Sequence, residues 1–147
     1  MLNESRFRTE SLSICHILFT APEFGTKLIF MKSAKGLDNW ALGCEQFNCG
    51  EYYEAHKYWE EIWLESFGEE KNYAQGLILA CGTLIHFQKN NFEAAKKLAL
   101  NCQKKLGHIE QFEYRIHGLE TFLKLVVEES WSQVKIQMAA LRCGMKV

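Results

Sequence analysis

The sequence predicts an all-α protein, a compact bundle of about five or six helices built from helical hairpins. From residue 38 onward, apolar residues recur at spacings of three and four, the period of an amphipathic helix. A single proline, Pro22, occurs in 147 residues, whereas all-β chains lean on Pro and Gly for their turns. Hydrophobic residues make up 48% and aromatics 13%, which is enough material for one packed core at this length.

Residues 1–30 carry no sustained helical stripe and hold the lone proline close to Gly25. They are expected to form a loosely structured N-terminal extension ahead of a single helical domain over 31–147, with Met31 a plausible natural start. Asp38 or Asn39 is placed to cap a first helix whose inner face carries Trp40, Cys44 and Phe47. Gly50 permits the positive φ that ends a helix and turns the chain. A second helix runs roughly from Glu51 to Ser66 with the stripe Tyr52, Ala55/His56, Trp59 and Ile62/Trp63. Glu69-Glu70 reads as an acidic link. A third helix, about Asn72 to Gln88, is apolar nearly all round and belongs in the middle of the bundle. Asn90-Asn91 turns the chain into a fourth helix from Phe92 to Leu106, which Gly107 ends. Residues 109–117 suit either a helix or a connector. Leu119, Phe122, Leu123 and Val126 predict a further helix, and Ser130 caps a last one through Val134, Met138 and Leu141.

A weak internal repeat is visible. Tyr53-Glu54-Ala55 matches Phe92-Glu93-Ala94, with Phe47 near the counterpart of Phe87, at a period near forty residues. Each unit reads as a helical hairpin of the tetratricopeptide type, but that repeat is ~34 residues long and a solenoid needs about three units. A compact bundle of packed hairpins is therefore expected.

The formal net charge is −1, from 17 basic and 18 acidic residues. Nucleic-acid binders usually present a basic footprint, so this balance argues against one. Lys89, Lys96, Lys97, Lys104 and Lys105 lie without interleaved aromatics and read as a solvated helix face. No stretch approaches the ~18–20 apolar residues of a membrane span. None of the six cysteines forms a Cys-x-x-Cys pair, and several occupy apolar helical positions, so reduced thiols in a reducing compartment are expected. Glu4 and Glu10 spoil the basic flank of a signal-like stretch at 11–21. The chain is accordingly placed in the cytoplasm, with the plastid stroma as the alternative.

One constellation is able to carry chemistry. His56 and Glu60 are four residues apart on one helical face, with Trp63 a turn beyond. Gln75, Leu79, Gly82 and His86 share a face of the third helix. Antiparallel packing of the two helices brings His56 near Gly82 and His86 towards Tyr52. Three chemistries compete for these residues. A buried hydrogen-bond network of His56, Glu60, Gln75, Tyr52 and His86 would fix helix register. A metal site would use His56, Glu60 and His86, acceptable zinc or iron ligands, although no His-Glu-x-x-His or Glu-x-x-His spacing is present. An acid–base pair, His56 with Glu60, would act on a small molecule, but no nucleophile, phosphate cradle or cofactor motif accompanies it. The buried network is the preferred reading, and no cofactor is implied.

The run Phe47-Asn48-x-Gly50-Glu51-Tyr52-x-Glu54-Ala55-His56 with Glu60 and Trp63 resembles the signature of the helical family called domain of unknown function 309. So does Gln75-Gly76-Leu77-Ile78 with Ala80 and His86, followed by Asn91, Ala94 and Leu98. The resemblance implies a small all-α fold and directs attention to Tyr52, Glu54, His56, Glu60, Trp63, Gln75 and His86; it implies no reaction. In that family Glu usually follows the signature histidine, whereas Lys57 stands here. The sequence thus supports a non-catalytic helical module that binds a protein partner or self-associates. The alternative is a metal-dependent or acid–base enzyme, hydrolase-like, centred on His56, Glu60 and His86.

Overall fold

The computed structural model describes residues 35–107 and 112–145. The expected N-terminal extension, residues 1–30, lies outside the described residues. Among them, helices run α1 (Lys35–Asn48), α2 (Tyr52–Glu65), α3 (Gly68–Gln88), α4 (Phe92–Leu106), α5 (Leu119–Val127) and α6 (Trp131–Ala140). Two short strands complete the order, β1 (Tyr114–His117) before α5 and β2 (Arg142–Met145) after α6. The all-α expectation holds, with a two-stranded ladder added. Where the sequence suggested an acidic link, α3 instead begins at Gly68 and takes Glu69 and Glu70 into its first turn. Carboxylates there meet the positive end of the helix dipole, so the two glutamates favour the helix start.

The helices form three hairpins joined by one recurring turn. Glu51 N–H donates to Gln46 C=O (2.9 Å) and Gly50 N–H to Phe47 C=O (2.9 Å), with Gly50 at φ +81°. Asn91 N–H reaches His86 C=O (2.9 Å) and Asn90 N–H reaches Phe87 C=O (3.0 Å), with Asn90 at φ +60°. Ser130 N–H reaches Leu125 C=O (3.0 Å) and Glu129 N–H reaches Val126 C=O (3.0 Å), with Glu129 again at φ +60°. Each is the paired-bond helix stop that needs one left-handed residue. The weak repeat seen in the sequence therefore has a third member in α5–α6. In the first two turns an aromatic from each helix meets across the corner, Phe47 with Tyr52 (5.0 Å) and Phe87 with Phe92 (5.9 Å). Trp131, opening α6, stacks on Phe92 at 4.5 Å and ties the third hairpin to the second.

Consecutive helices pack against one another, and α3 contacts both α2 and α4. The buried residues form one core in which Trp59, Leu77, Leu84, Phe122, Val126 and Val134 are fully enclosed. Close approach of α1 to α2 depends on Gly43, where a Cβ would run into the Trp59 indole. The indole N–H donates to Trp40 C=O (3.4 Å).

Residues 114–117, read from sequence as helix or connector, form a strand. β1 and β2 pair antiparallel from Tyr114 with Met145 to His117 with Arg142. Neither four-residue segment carries a strand pattern of its own; each is extended because the other is beside it. β2 is also fastened to α1. The Asn48 carboxamide donates to Cys143 C=O and accepts from Cys143 N–H, both at 2.8 Å. Cys44 and Cys143 are joined in a disulfide, their Cα atoms 5.0 Å apart. This corrects the expectation that all the cysteines are reduced thiols: the partners are 99 residues apart, and local spacing cannot reveal such a pair. Cys49, Cys81 and Cys102 are free.

Candidate functional site

A cleft of about 230 Å³ opens between α2, α3 and α4. The α3 face supplies its floor with Ile78, Leu79, Gly82 and Ile85, and Leu98 of α4 closes one side. Tyr53 and His56 of α2 and His86 near the end of α3 form the polar part of its lining. The antiparallel α2–α3 hairpin thus brings both histidines and Gly82 to one place, as the helical spacing anticipated. His86 meets the Tyr53 side of α2 and not Tyr52. Tyr52 points the other way, buried against Phe47 of α1, and its phenol is held above the ordinary range by burial first, then by Cys81, with Arg142 opposing.

The expected buried network is not what forms around these residues. His56 Nε2 lies 3.5 Å from Glu60 Oε2, but the two side chains are 30% and 49% exposed, so the pair stands at the water-facing edge. Its other nitrogen, Nδ1, faces Tyr53 C=O at 3.3 Å. Both nitrogens of His56 are thereby turned towards acceptors of its own helix. The Tyr53 ring meets His56 edge-on, and Lys89 Nζ lies 5.9 Å from the same ring's centroid. On α3, His86 Nδ1 lies 3.4 Å from the Asn91 amide nitrogen. Glu54 turns to Lys57 (3.2 Å). Trp63 sits under the Lys71 ammonium (4.5 Å), its buried indole N–H without an acceptor. Gln75 is half-buried a turn before Leu79 and does not line the cleft. The network fails because Glu60 and His56 project from the rim of α2, whereas the core side of that helix is held by Tyr52, Ala55, Trp59 and Ile62.

Among the described residues, no group of three or more His, Cys, Asp or Glu side chains is placed to hold a metal ion. His56, Glu60 and His86 do not form such a group. The buried thiols of α3 and α4 are equally remote from a nucleophile's role. Burial and the neighbouring Cys102 push the Cys81 thiol well up, and burial raises Cys102 to about 12. Cys102 donates instead to Gly76 C=O across the α3–α4 interface (3.1 Å).

Sequence reasoning passed over Tyr53, Ile85 and Leu98 as cleft residues. Their contribution depends on how α4 lies across the α2–α3 hairpin, which helical spacing within one element does not encode. A second cavity of about 450 Å³ lies between Tyr73 of α3, the end of α4, Arg115 of β1 and the start of α5. It too was unreadable, since strand β1 was not expected. Tyr73 donates to Tyr114 C=O (2.5 Å) there and stacks on Phe112 at 4.6 Å. Burial pushes its phenol up to about 12, with Arg115 pulling down and Cys102 pushing up.

No helix among the described residues is long and apolar enough to cross a membrane. No curated protein and no solved structure matches the chain. The resemblance drawn from the two motif blocks holds: residues 40–98, a span containing every residue that lines the histidine cleft, match the family model described as Domain of unknown function (DUF309).

Proposed function

We propose that this protein is a non-catalytic helical binding module whose α2–α3–α4 cleft receives one apolar side chain of a protein partner. The observation that carries this reading is the cleft itself: a floor of aliphatic residues under a rim of two histidines and a tyrosine. Its 230 Å³ falls below the ~300–1,000 Å³ of small-molecule pockets, and suits a single anchor of the kind that dominates protein interfaces. Reaction chemistry finds less support. Both nitrogens of His56 face groups of α2, so neither is directed at a substrate, and no nucleophile lines the cleft. Stacked helical hairpins are also a common scaffold for binding surfaces, although architecture alone assigns no function.

The test is a titration followed by methyl NMR of Ile78, Leu79, Ile85 and Leu98. N-acetylated leucine, phenylalanine and lysine amides serve as probes. Leucine or phenylalanine amide should give saturable shifts confined to the cleft, with a Kd of about millimolar or weaker, since one buried side chain contributes only about 1.5–3 kcal/mol. Gly82→Leu, which fills the floor against Leu98, should abolish them while the protein stays folded. Shifts scattered over the surface, or equal responses to lysine amide, would sink the reading.

A further inference from the structure

We infer that this protein pairs with a second copy of itself, the Leu64–Phe67 corner of each copy seating on the Lys97–Leu100–Lys104 face of the other. None of these residues lines the histidine cleft, so the surface stands apart from the binding reading above. Its starting point is a residue that breaks a local rule. Phe67 occupies the N-cap position of α3 and makes no side-chain hydrogen bond to the helix, where Ser, Thr, Asp or Asn is preferred. Its ring is 87% exposed, and Leu64, one turn earlier, is 66% exposed. The cap is forfeited and a large apolar surface is shown to water, and no ring contact offsets either cost among the described residues. Departures of this kind concentrate where a surface has a use.

The charge around the corner says what fits it. Glu61 accepts from the Asn39 carboxamide (3.0 Å) and Glu70 from the Ser66 hydroxyl (2.7 Å). Both donors are neutral, so neither contact cancels a carboxylate's charge. Glu60 faces His56 (3.5 Å), Lys71 lies over Trp63 (4.5 Å), and Glu65 and Glu69 have contacts of their own. Glu61 and Glu70 thus supply the charge a partner would meet.

The complement lies on α4. Lys97, Leu100 and Lys104 share its outer face at spacings of three and four, with Leu100 40% exposed between the two ammonium groups. Lys96 pairs with Glu129 (3.3 Å) and Lys105 donates to Asn72 (3.5 Å), whereas Lys97 and Lys104 have no such partner among the described residues. The acid of this face, Glu93, stands a turn before Lys97, at the end of α4 far from Lys104. The Lys105–Asn72 contact also shows that the end of α4 lies beside the start of α3. Both patches therefore sit at one end of the bundle, and a two-fold axis between copies makes each contact twice. Phe67 meets Leu100, and Glu61 and Glu70 meet Lys97 and Lys104. A net charge of −1 leaves little repulsion between whole copies.

Sedimentation velocity of the full chain tests this, from about 5 μM to about 1 mM, in about 20 mM and about 500 mM sodium chloride. A dimer should form with concentration in low salt, and its association constant should fall about tenfold in high salt as exposed charges are screened. Phe67→Ser should abolish the dimer and keep the fold, because serine is a favoured N-cap and the lost ring stands in water. Its melting temperature in dilute solution should be no lower than that of wild type. Glu61→Lys with Glu70→Lys, and Lys97→Glu with Lys104→Glu, should each give a monomer alone. Their equimolar mixture should dimerise, since both reciprocal contacts are then complementary again. A chain monomeric throughout, a dimer indifferent to salt or to Phe67→Ser, or a mixture that stays monomeric overturns the inference. Growth beyond the dimer overturns it too, as that is the mark of an open head-to-tail contact. So does a monomer that Phe67→Ser destabilises, which would place another part of the same chain on the ring.

Discussion

Breaking the Cys44–Cys143 link should destabilise the protein while leaving its fold recognisable. The bond closes a loop with a sequence separation of 99. The chain-entropy relation assigns a loop of that size about 4.7 kcal/mol at most, with about 2–4 kcal/mol the usual measured range. The native strand does not depend on the sulfurs alone, because Asn48 grips both backbone groups of Cys143 at 2.8 Å. Each such bond is worth about 1 kcal/mol net. Cys143→Ser should therefore lower the unfolding free energy by about 2–4 kcal/mol, and Asn48→Ala by about 2 kcal/mol. The double variant should depart from the sum, since both contacts hold the same strand. Urea unfolding followed by tryptophan fluorescence gives the energies, and amide exchange at Ile116 reports whether the ladder persists. Alkylation of unfolded, unreduced protein should label no more than four of the six cysteines. Labelling of all six, or an unfolding midpoint that ignores reductant, would refute the argument.

Three further outcomes follow from the geometry. Glu129→Gly should raise stability by about 1 kcal/mol, because Glu129 sits at φ +60° and gives up only an exposed pair with Lys96 (3.3 Å); a lower melting temperature would contradict the strain account. Gly43→Ala should destabilise by about 1–3 kcal/mol through overlap with the Trp59 indole, whereas helix propensity alone would make alanine the better residue by about 1 kcal/mol, so thermal melts decide the sign. Burial raises the Tyr73 phenol from 10.0 to about 12, so its stabilising contribution is complete below pH 10 and lost as pH climbs through about 12. The stability gap between wild type and Tyr73→Phe should narrow over that window in urea titrations, and a constant gap would count against it.

Much of the fold was legible because its signals are local. Asn91 and the aromatic-Glu-Ala opening located α4, and the unbroken apolar run of α3 placed it between two neighbours. The start of α3 was misjudged because Glu69-Glu70 resembles a loop when the helix dipole is left out. Strands β1 and β2 could not be read, since each is held by a partner far away in sequence. The third hairpin turn escaped notice because Glu129 stands where glycine or asparagine would have advertised it. At the candidate site, His56, Gly82 and His86 were placed together by helical spacing and the antiparallel turn. The choice between Tyr52 and Tyr53, and the arrival of Leu98, required the tilt of helices against one another. Burial followed the same rule: the face of α2 that meets the core is set by Trp59 and Ile62, and this left Glu60 in water.

The fastening of β2 to α1 bears on how the chain reaches its final form. Successive helices meet their neighbours soon after they are made, so the hairpins assemble from contacts close in sequence, the kind that form quickly. The Asn48 grip is different, for its partner lies 95 residues further on. A ribosome adding ≈ 5–20 residues per second leaves α1 waiting for roughly 5–20 seconds before β2 even exists. During that interval the surface of α1 destined for Cys143 is uncovered, and it is closed only when the last strand arrives.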